Sequence, residues 1–272
     1  MRRSALPATF LLAALLSSGA AFAQAPSAQA PVKVEKKGLG PKSKDEALAV
    51  NAVIQSQAQS PDDEIKAVEA LLTKFADTVY KGFALEIEAE AYQKKNDNAK
   101  AIVYGEQALV ADPKNYDADN LLANVLASTT RDTDLDKEEK LTRAEKYAHD
   151  AMDALQAGKP PLFANASDEA WAKTKAQGES LAWQALGVAA LVRKKTDEAV
   201  ADFQKGVEAN PDPVLMIRTG RALLAARKYD DAIAWFQKVM DSNDAPAQIK
   251  SIAQADRVRA IQAKGPAAAA AK

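Results

Sequence analysis

Two stretches of the chain, 33 residues apart, carry the same spaced residues. Ala199 and Ala232 each follow an apolar residue by nine positions (Ala190 and Leu223), and each precedes a phenylalanine by four (Phe203 and Phe236). Ala101, nine after Tyr92, begins a third copy whose phenylalanine position holds Gly105. A period near 34 residues built on helical spacing is the mark of stacked helix pairs. One pair cannot bury its apolar face alone, so neighbours must stack into a continuous core.

The rest of the chain agrees with that reading. Breakers and apolar spacing predict helices over 45–58, 62–76, 82–95, 98–111, 115–129, 136–157, 168–193, 196–209, 213–226, 229–241 and 246–262, with no run of strand alternation. Ser60-Pro61, followed by Asp62, Asp63 and Glu64, opens the second helix with acids at its positive end. Ser167 before Asp168-Glu169 opens the seventh, and Asp136 to Glu139 has capping-box spacing at the start of the sixth.

Trp183-x-x-Leu186-Gly187, Ala199-x-x-x-Phe203 and Pro211 together resemble the tetratricopeptide repeat (TPR), with Ala190 where an aromatic is usual and Gly206 where alanine is usual. A second unit keeps Gly220, Ala232 and Phe236, with Met216, Leu223 and Val239 as apolar replacements. A third keeps Tyr92, Ala101, Ala108 and Pro113. Residues 116–157 keep Leu122, Ala123, Leu126, Ala144, Ala148 and Ala151, but nine residues are inserted; residues 45–79 keep only Ala67 and Leu71. The resemblance spans about residues 45–244. It implies an all-α fold: a right-handed superhelical solenoid of antiparallel helix pairs, about five units with a C-terminal capping helix.

Glycine inside a helix costs about 1 kcal/mol relative to alanine, so Gly187 needs a packing reason. Gly187 and Ala199 are read as the close backbone contacts, with Trp183, Leu186 and Phe203 filling the hollows beside them. Trp235, next to Phe236, points away from that contact and is expected under the last helix.

Composition sets the compartment. Residues 1–23 read as a signal peptide: Arg2 and Arg3, an apolar run from Ala5 to Leu16, then Ala21-Phe22-Ala23, with cleavage expected after Ala23 or, second, after Ala25. The arginine pair also admits twin-arginine export. The full chain carries a net charge of −1, and loss of the two arginines leaves −3, which argues against nucleic-acid binding. There is no cysteine, hence no disulfide or thiol chemistry, and no later stretch of transmembrane length. These features point to a bacterial periplasmic or secreted protein without an integral membrane segment after cleavage. Asn165-Ala166-Ser167 is then a loop and cap rather than a glycosylation site. Residues 24–44 read as a disordered linker, 45–262 as the repeat domain and 263–272 as a low-complexity tail.

Catalytic and metal signals are absent. His149 is the one histidine, expected on the surface, and it cannot build a zinc site alone. Asp132, Asp134 and Asp136 alternate like the start of an EF-hand, but Lys137 replaces the required glycine and Arg143 the closing glutamate. No enzyme activity and no cofactor are predicted.

In the resembled family the first helix of each pair lines a concave, peptide-binding groove. Carried onto this sequence, the groove positions are Phe83, Glu86, Glu90 and Gln93; Asp117, Asn120, Asn124 and Ala127; Leu181, Gln184, Val188, Leu191 and Val192; and Val214, Ile217, Arg221 and Leu224. The leading positions Phe83, Asp117, Leu181 and Val214 do not support the clamp that grips a terminal carboxylate. Asn120 and Asn124, one turn apart, offer amides to an extended peptide backbone or simply form a solvated face. The apolar set from Leu181 to Leu224 needs cover, from a partner or from the chain itself. The 168–180 extension and the 246–262 helix, with Ile249, Ile252, Val258 and Ile261, are the candidates for self-cover. The sequence therefore predicts a non-catalytic interaction scaffold for other proteins or peptides. The alternatives are an assembly protein acting by self-association and a ligand binder, such as a glycan binder, without a recognisable motif.

Overall fold

The computed structural model describes residues 40–160 and 166–270, apart from the side chains of 266–270. The predicted leader, the linker up to residue 39, Asn165 and the last two residues lie outside the described residues. Eleven helices and no strands occur among the described residues. They are α1 (Lys44–Ser56), α2 (Pro61–Lys74), α3 (Lys81–Lys94), α4 (Asn98–Ala111), α5 (Tyr116–Thr129), α6 (Lys137–Ala157), α7 (Asp168–Val192), α8 (Thr196–Ala209), α9 (Pro213–Ala225), α10 (Tyr229–Asp241) and α11 (Ala247–Ala270). Ten of the eleven predicted helices match these within two residues at each end. The last one runs on to Ala270 where the sequence reading ended at 262, carrying the terminal alanines, the strongest helix formers, into the helix.

Each helix packs on the next, and odd-numbered helices also meet across the layer, α3 with α5, α5 with α7 and α9 with α11. The chain is therefore an all-α solenoid of two layers. Three of the hairpins turn in the same way. Asn96, Lys194 and Arg227 take left-handed φ values of 60°, 63° and 59°. The next N–H in each case, from Asp97, Lys195 and Lys228, donates at 2.9 Å to the carbonyl of Tyr92, Ala190 and Leu223. This is the Schellman closure of a helix end, here without glycine. The residues aligned by spacing in the sequence are thus the acceptors of one repeated turn.

Packing explains the interior glycines. A Cβ on Gly187 would collide with the Phe203 ring, and one on Gly220 would sit 2.6 Å from the ring of Phe236. Both phenylalanines are fully buried, as are Ala101, Ala199 and Ala232. Burying a phenylalanine stabilises by roughly 1.5–3 kcal/mol, so the glycines let large side chains seat against backbone. Trp183 is half-buried with Lys205 Nζ 4.1 Å from its ring centre. Trp235 packs against the cluster that contains Ala253 and Ala260 of α11, where it was expected.

Caps follow the sequence in two cases and depart from it in one. Ser60 and Asp63 form a reciprocal capping box on α2, and Ser167 accepts from Ala170 N–H on α7. Asp136 precedes α6 but makes no side-chain cap; its carboxylate pairs with Lys140 at 2.9 Å. The neighbouring lysine outcompetes the backbone donor, so the predicted capping box is not formed.

Candidate functional site

The positions assigned to the groove fall into three parts along the odd-numbered layer. The central part is closed. Asn120 Nδ2 donates to Gly178 O at 3.1 Å, Asn124 Nδ2 to Leu181 O at 3.1 Å, and Gln184 Nε2 to Asn124 Oδ1 at 2.9 Å. The amides expected to meet a partner backbone instead staple α5 to α7. The cause lies in α7, whose added turns place the Gly178 carbonyl opposite α5, next to that of Leu181 in the regular repeat helix. Gly178 makes room, since a Cβ there would lie 2.7 Å from Leu155.

The C-terminal part is covered in part by the chain. Ile217 is 4% exposed and, on α5, Ala127 is fully buried, so neither lines an open groove. Val188, Leu191 and Leu224 pack against the cluster to which α11 contributes Ala253 and Ala260, with Ile249 and Ile252 beside it. Arg221 Nε donates to Asp256 of α11 at 2.6 Å, and Arg259 holds the other oxygen of that carboxylate at 2.7 Å. Of the two candidate covers, α11 reaches only the α9 end of the set, and Leu181, Val188, Leu191, Val192, Val214 and Leu224 stay partly exposed. The 168–180 extension packs elsewhere, with Trp171 edge-on to Tyr116 at 6.0 Å and against Leu155.

The α3–α5 part is acidic. Glu86 is 4% exposed, Glu90 and Gln93 are half-buried, and Asp117 is exposed. Burial, with the charges of Glu90 and Asp117 added, pushes the Glu86 carboxyl well above the usual range. Burial raises Glu90 as well. One cation serves the group: Lys94 Nζ bonds both oxygens of buried Glu64 at 2.9 Å and stands 4.0 Å from Glu90. Glu64 and Lys94 were missed by the sequence reading because they sit off the first-helix positions. Their signal was the spacing of Glu90 and Lys94, one turn apart on α3.

Glu88 was also missed. It occupies the repeat position filled by Leu122 and Leu186 in α5 and α7, and it is 2% exposed. The run Glu86-Ile87-Glu88-Ala89-Glu90 contains the clue, because residues two apart on a helix point in different directions. If Glu86 and Glu90 face the groove, Glu88 must face the packed side.

The aspartates of the insertion are held by lysines. Asp132 pairs with Lys137 at 3.1 Å and Lys194 at 2.7 Å, while Lys140 reaches Asp134 and Asp136 at 3.4 and 2.9 Å. These cations hold their carboxyls below the usual range at Asp132, where hydrogen bonds from Lys194 and Lys137 dominate, and at Asp134, where the Arg131 N–H dominates. Leu135, between them, is fully exposed, and His149 is on the surface as expected.

No family model matches the sequence, and no curated protein does. Among solved structures the chain is similar to a thermophilic TPR protein of Thermus thermophilus, with TM-score 0.58 and 14% identity over 78% of this chain and 99% of that one. It is also similar to MamA from Desulfovibrio magneticus, with TM-score 0.52 and 15% identity over 75% and 96% of the two chains.

This chain has the TPR fold.

At that identity the likeness is one of architecture. The TPR units are unequal in what their odd-numbered helices offer: a closed centre, a C-terminal end partly covered by α11 and an acidic wall on α3 and α5. No described helix is long and apolar enough to cross a membrane.

Proposed function

We propose that this protein is a non-catalytic interaction scaffold that works outside the cytoplasm and holds a partner polypeptide against the concave wall of α3 and α5. The TPR architecture supports the class of function, and the leader-like first residues support the location. One observation carries the choice of surface: half-buried Glu90 and exposed Asp117 stand beside buried Glu86, with Lys94 the one cation paired to this group among the described residues. A wall of that chemistry fits a partner offering lysine or arginine, whose cations would offset the mutual repulsion of the carboxylates. The test is affinity capture by residues 24–272 from the envelope of the native cell, beside a Glu90→Gln, Asp117→Asn form matched for melting temperature. A partner held by the wild type and lost by the variant supports the reading. A partner retained equally by both removes this wall from the binding surface.

A second reading is favoured by α11, where Val258 and Ile261 are 45% and 44% exposed at the end of the stack. Self-association through this end face would make the sedimentation coefficient depend on concentration, and Val258→Ser with Ile261→Ser would abolish that dependence. A wild type that sediments as a monomer at every concentration rejects it.

A further inference from the structure

Helix α3 is charged on both sides, and its inward charge does not depend on any partner. Oε1 of Glu88 is buried with no hydrogen-bond partner. The ionisable groups that face Glu88 are Tyr104 and Lys100 of α4 and Glu69 of α2, with Tyr104 its hydrogen-bonding neighbour. Tyr104 stacks on Tyr92 at 5.1 Å, and Lys100 lies 4.7 Å above the Tyr92 ring, drawn to the aromatic face. No ion pair to Glu88 forms among the described residues. On the opposite side of α3, Glu86 and Glu90 face Asp117 and Tyr116 of α5, Glu64 of α2 and their own Lys94. A carboxylate in a leucine position, short of one donor, is expensive to keep charged.

We propose that Glu88 is a proton-operated latch: protonated, it lets α2, α3 and α4 close as the other units do, and its ionisation loosens the first half of the solenoid while α7 to α11 stay packed. Burial pushes Glu88 up to about 7. The folded form therefore binds the proton more tightly than the unfolded chain. The stabilisation is complete below the unfolded value near 4.5 and disappears as pH rises through about 7. Solenoids allow such partial loosening because each unit contacts only its neighbours.

The chain carries its own reporter. Trp171 and Trp183 lie in α7 and Trp235 in α10, and these are its three tryptophans. Trp171 and Trp183 lie against α5 and α6, whereas Trp235 packs among the C-terminal helices. In a Trp171→Phe, Trp183→Phe background, emission therefore follows the second half alone, while far-UV ellipticity follows every helix. Both signals would be recorded in thermal melts of the mature protein in that background at about pH 5.5 and about pH 8.5. The expected result is coincident curves at the lower pH and, at the higher, ellipticity lost ahead of emission by about 4 °C or more. Glu88→Leu, which installs the residue found in α5 and α7, and Glu88→Gln are expected to restore coincidence at the higher pH. Coincident curves at both pH values with Glu88 in place overturn the proposal. So does a gap that persists unchanged in a folded Glu88→Leu protein, or emission that falls first.

Discussion

The two halves of the solenoid repeat the same turn but fill it differently. In α7–α8 and α9–α10, Gly187 and Gly220 admit Phe203 and Phe236 against the backbone, and both rings are fully buried. In α3–α4 the phenylalanine position holds Gly105, and its hollow is filled by Leu122 of the following unit, whose Cδ2 lies 3.0 Å from where a Cβ would be. The leucine position of the same unit holds Glu88. The second half is thus closed by apolar contacts within each pair. The first half leans on its neighbour and carries carboxyls raised by burial, among them Glu64, Glu86, Glu88 and Asp119. One repeat geometry can therefore serve as a rigid end and as a charged wall, with the difference set by two positions per unit.

The largest effects should come from the rigid half. Phe203→Ala is expected to cost about 3–5 kcal/mol, lowering the denaturation midpoint followed by tryptophan emission. Gly187→Leu should cost about 1–3 kcal/mol through overpacking, because its first carbon already collides with the Phe203 ring. Gly105→Ala in the other half meets only the flexible tip of Leu122 and should cost less than either. Equal losses at Gly187 and Gly105 would erase the distinction between the halves.

Next in size is the buried acid. Glu88→Leu should stabilise the protein by roughly 1–3 kcal/mol above neutral pH and by little near pH 5, where the wild-type carboxyl is already protonated. Wild-type stability should fall as pH rises from about 5 to about 8, since carboxyls raised in the folded state lose their advantage on ionising. Urea denaturation at the two pH values would measure both statements, and a wild type more stable at the higher pH would contradict them.

Most of this fold was legible because repeats state their rule several times. Ala101, Ala199 and Ala232 needed only consistent spacing to mark the close contacts of three units. Gly187 identified itself by being a glycine where a helix former belongs. The site was less legible, because the groove pattern fixes which way a residue points and leaves open what meets it. Asn120 and Asn124 do lie on one face, but α7 brings Gly178 O, from its added turns, and Leu181 O into that space. Ile217 follows the groove spacing and is buried, because α11 stacks on α9 and α10. Contacts between units far apart in sequence have no local signature, and Glu88 was hidden by neighbours that looked like it.

The staple between the halves comes third. Asn124→Ala removes its bonds to Leu181 O and Gln184 and should cost about 1–2 kcal/mol, with faster amide exchange in the first turns of α7 and unchanged exchange in α9. Smaller still, Arg227→Gly relieves a left-handed residue and should gain about 0.5–1 kcal/mol, read as a raised urea midpoint. Asn96→Gly should gain less, since asparagine tolerates that conformation better than arginine does.

The smallest effect is expected in the charged insertion between α5 and α6. Asp132 is exposed and Asp134 half-buried, and long lysine side chains must be ordered to pair with them, so the Coulomb gain is offset by side-chain entropy and screened by salt. Asp132→Asn should leave the melting temperature unchanged within error, although Asp132 touches both Lys137 and Lys194 and so bridges the insertion to the end of α7. If that bridge tied the halves together, its loss would widen the gap between ellipticity and emission melts, and high salt would do the same to the wild type. Calcium distinguishes the remaining possibility. With Lys137 where an EF-hand needs glycine and lysines already on all three carboxylates, millimolar calcium chloride should shift the melting temperature no more than sodium chloride of the same ionic strength. A specific rise with calcium, lost in Asp132→Asn, would turn this loop from a solvated connection into a second functional site.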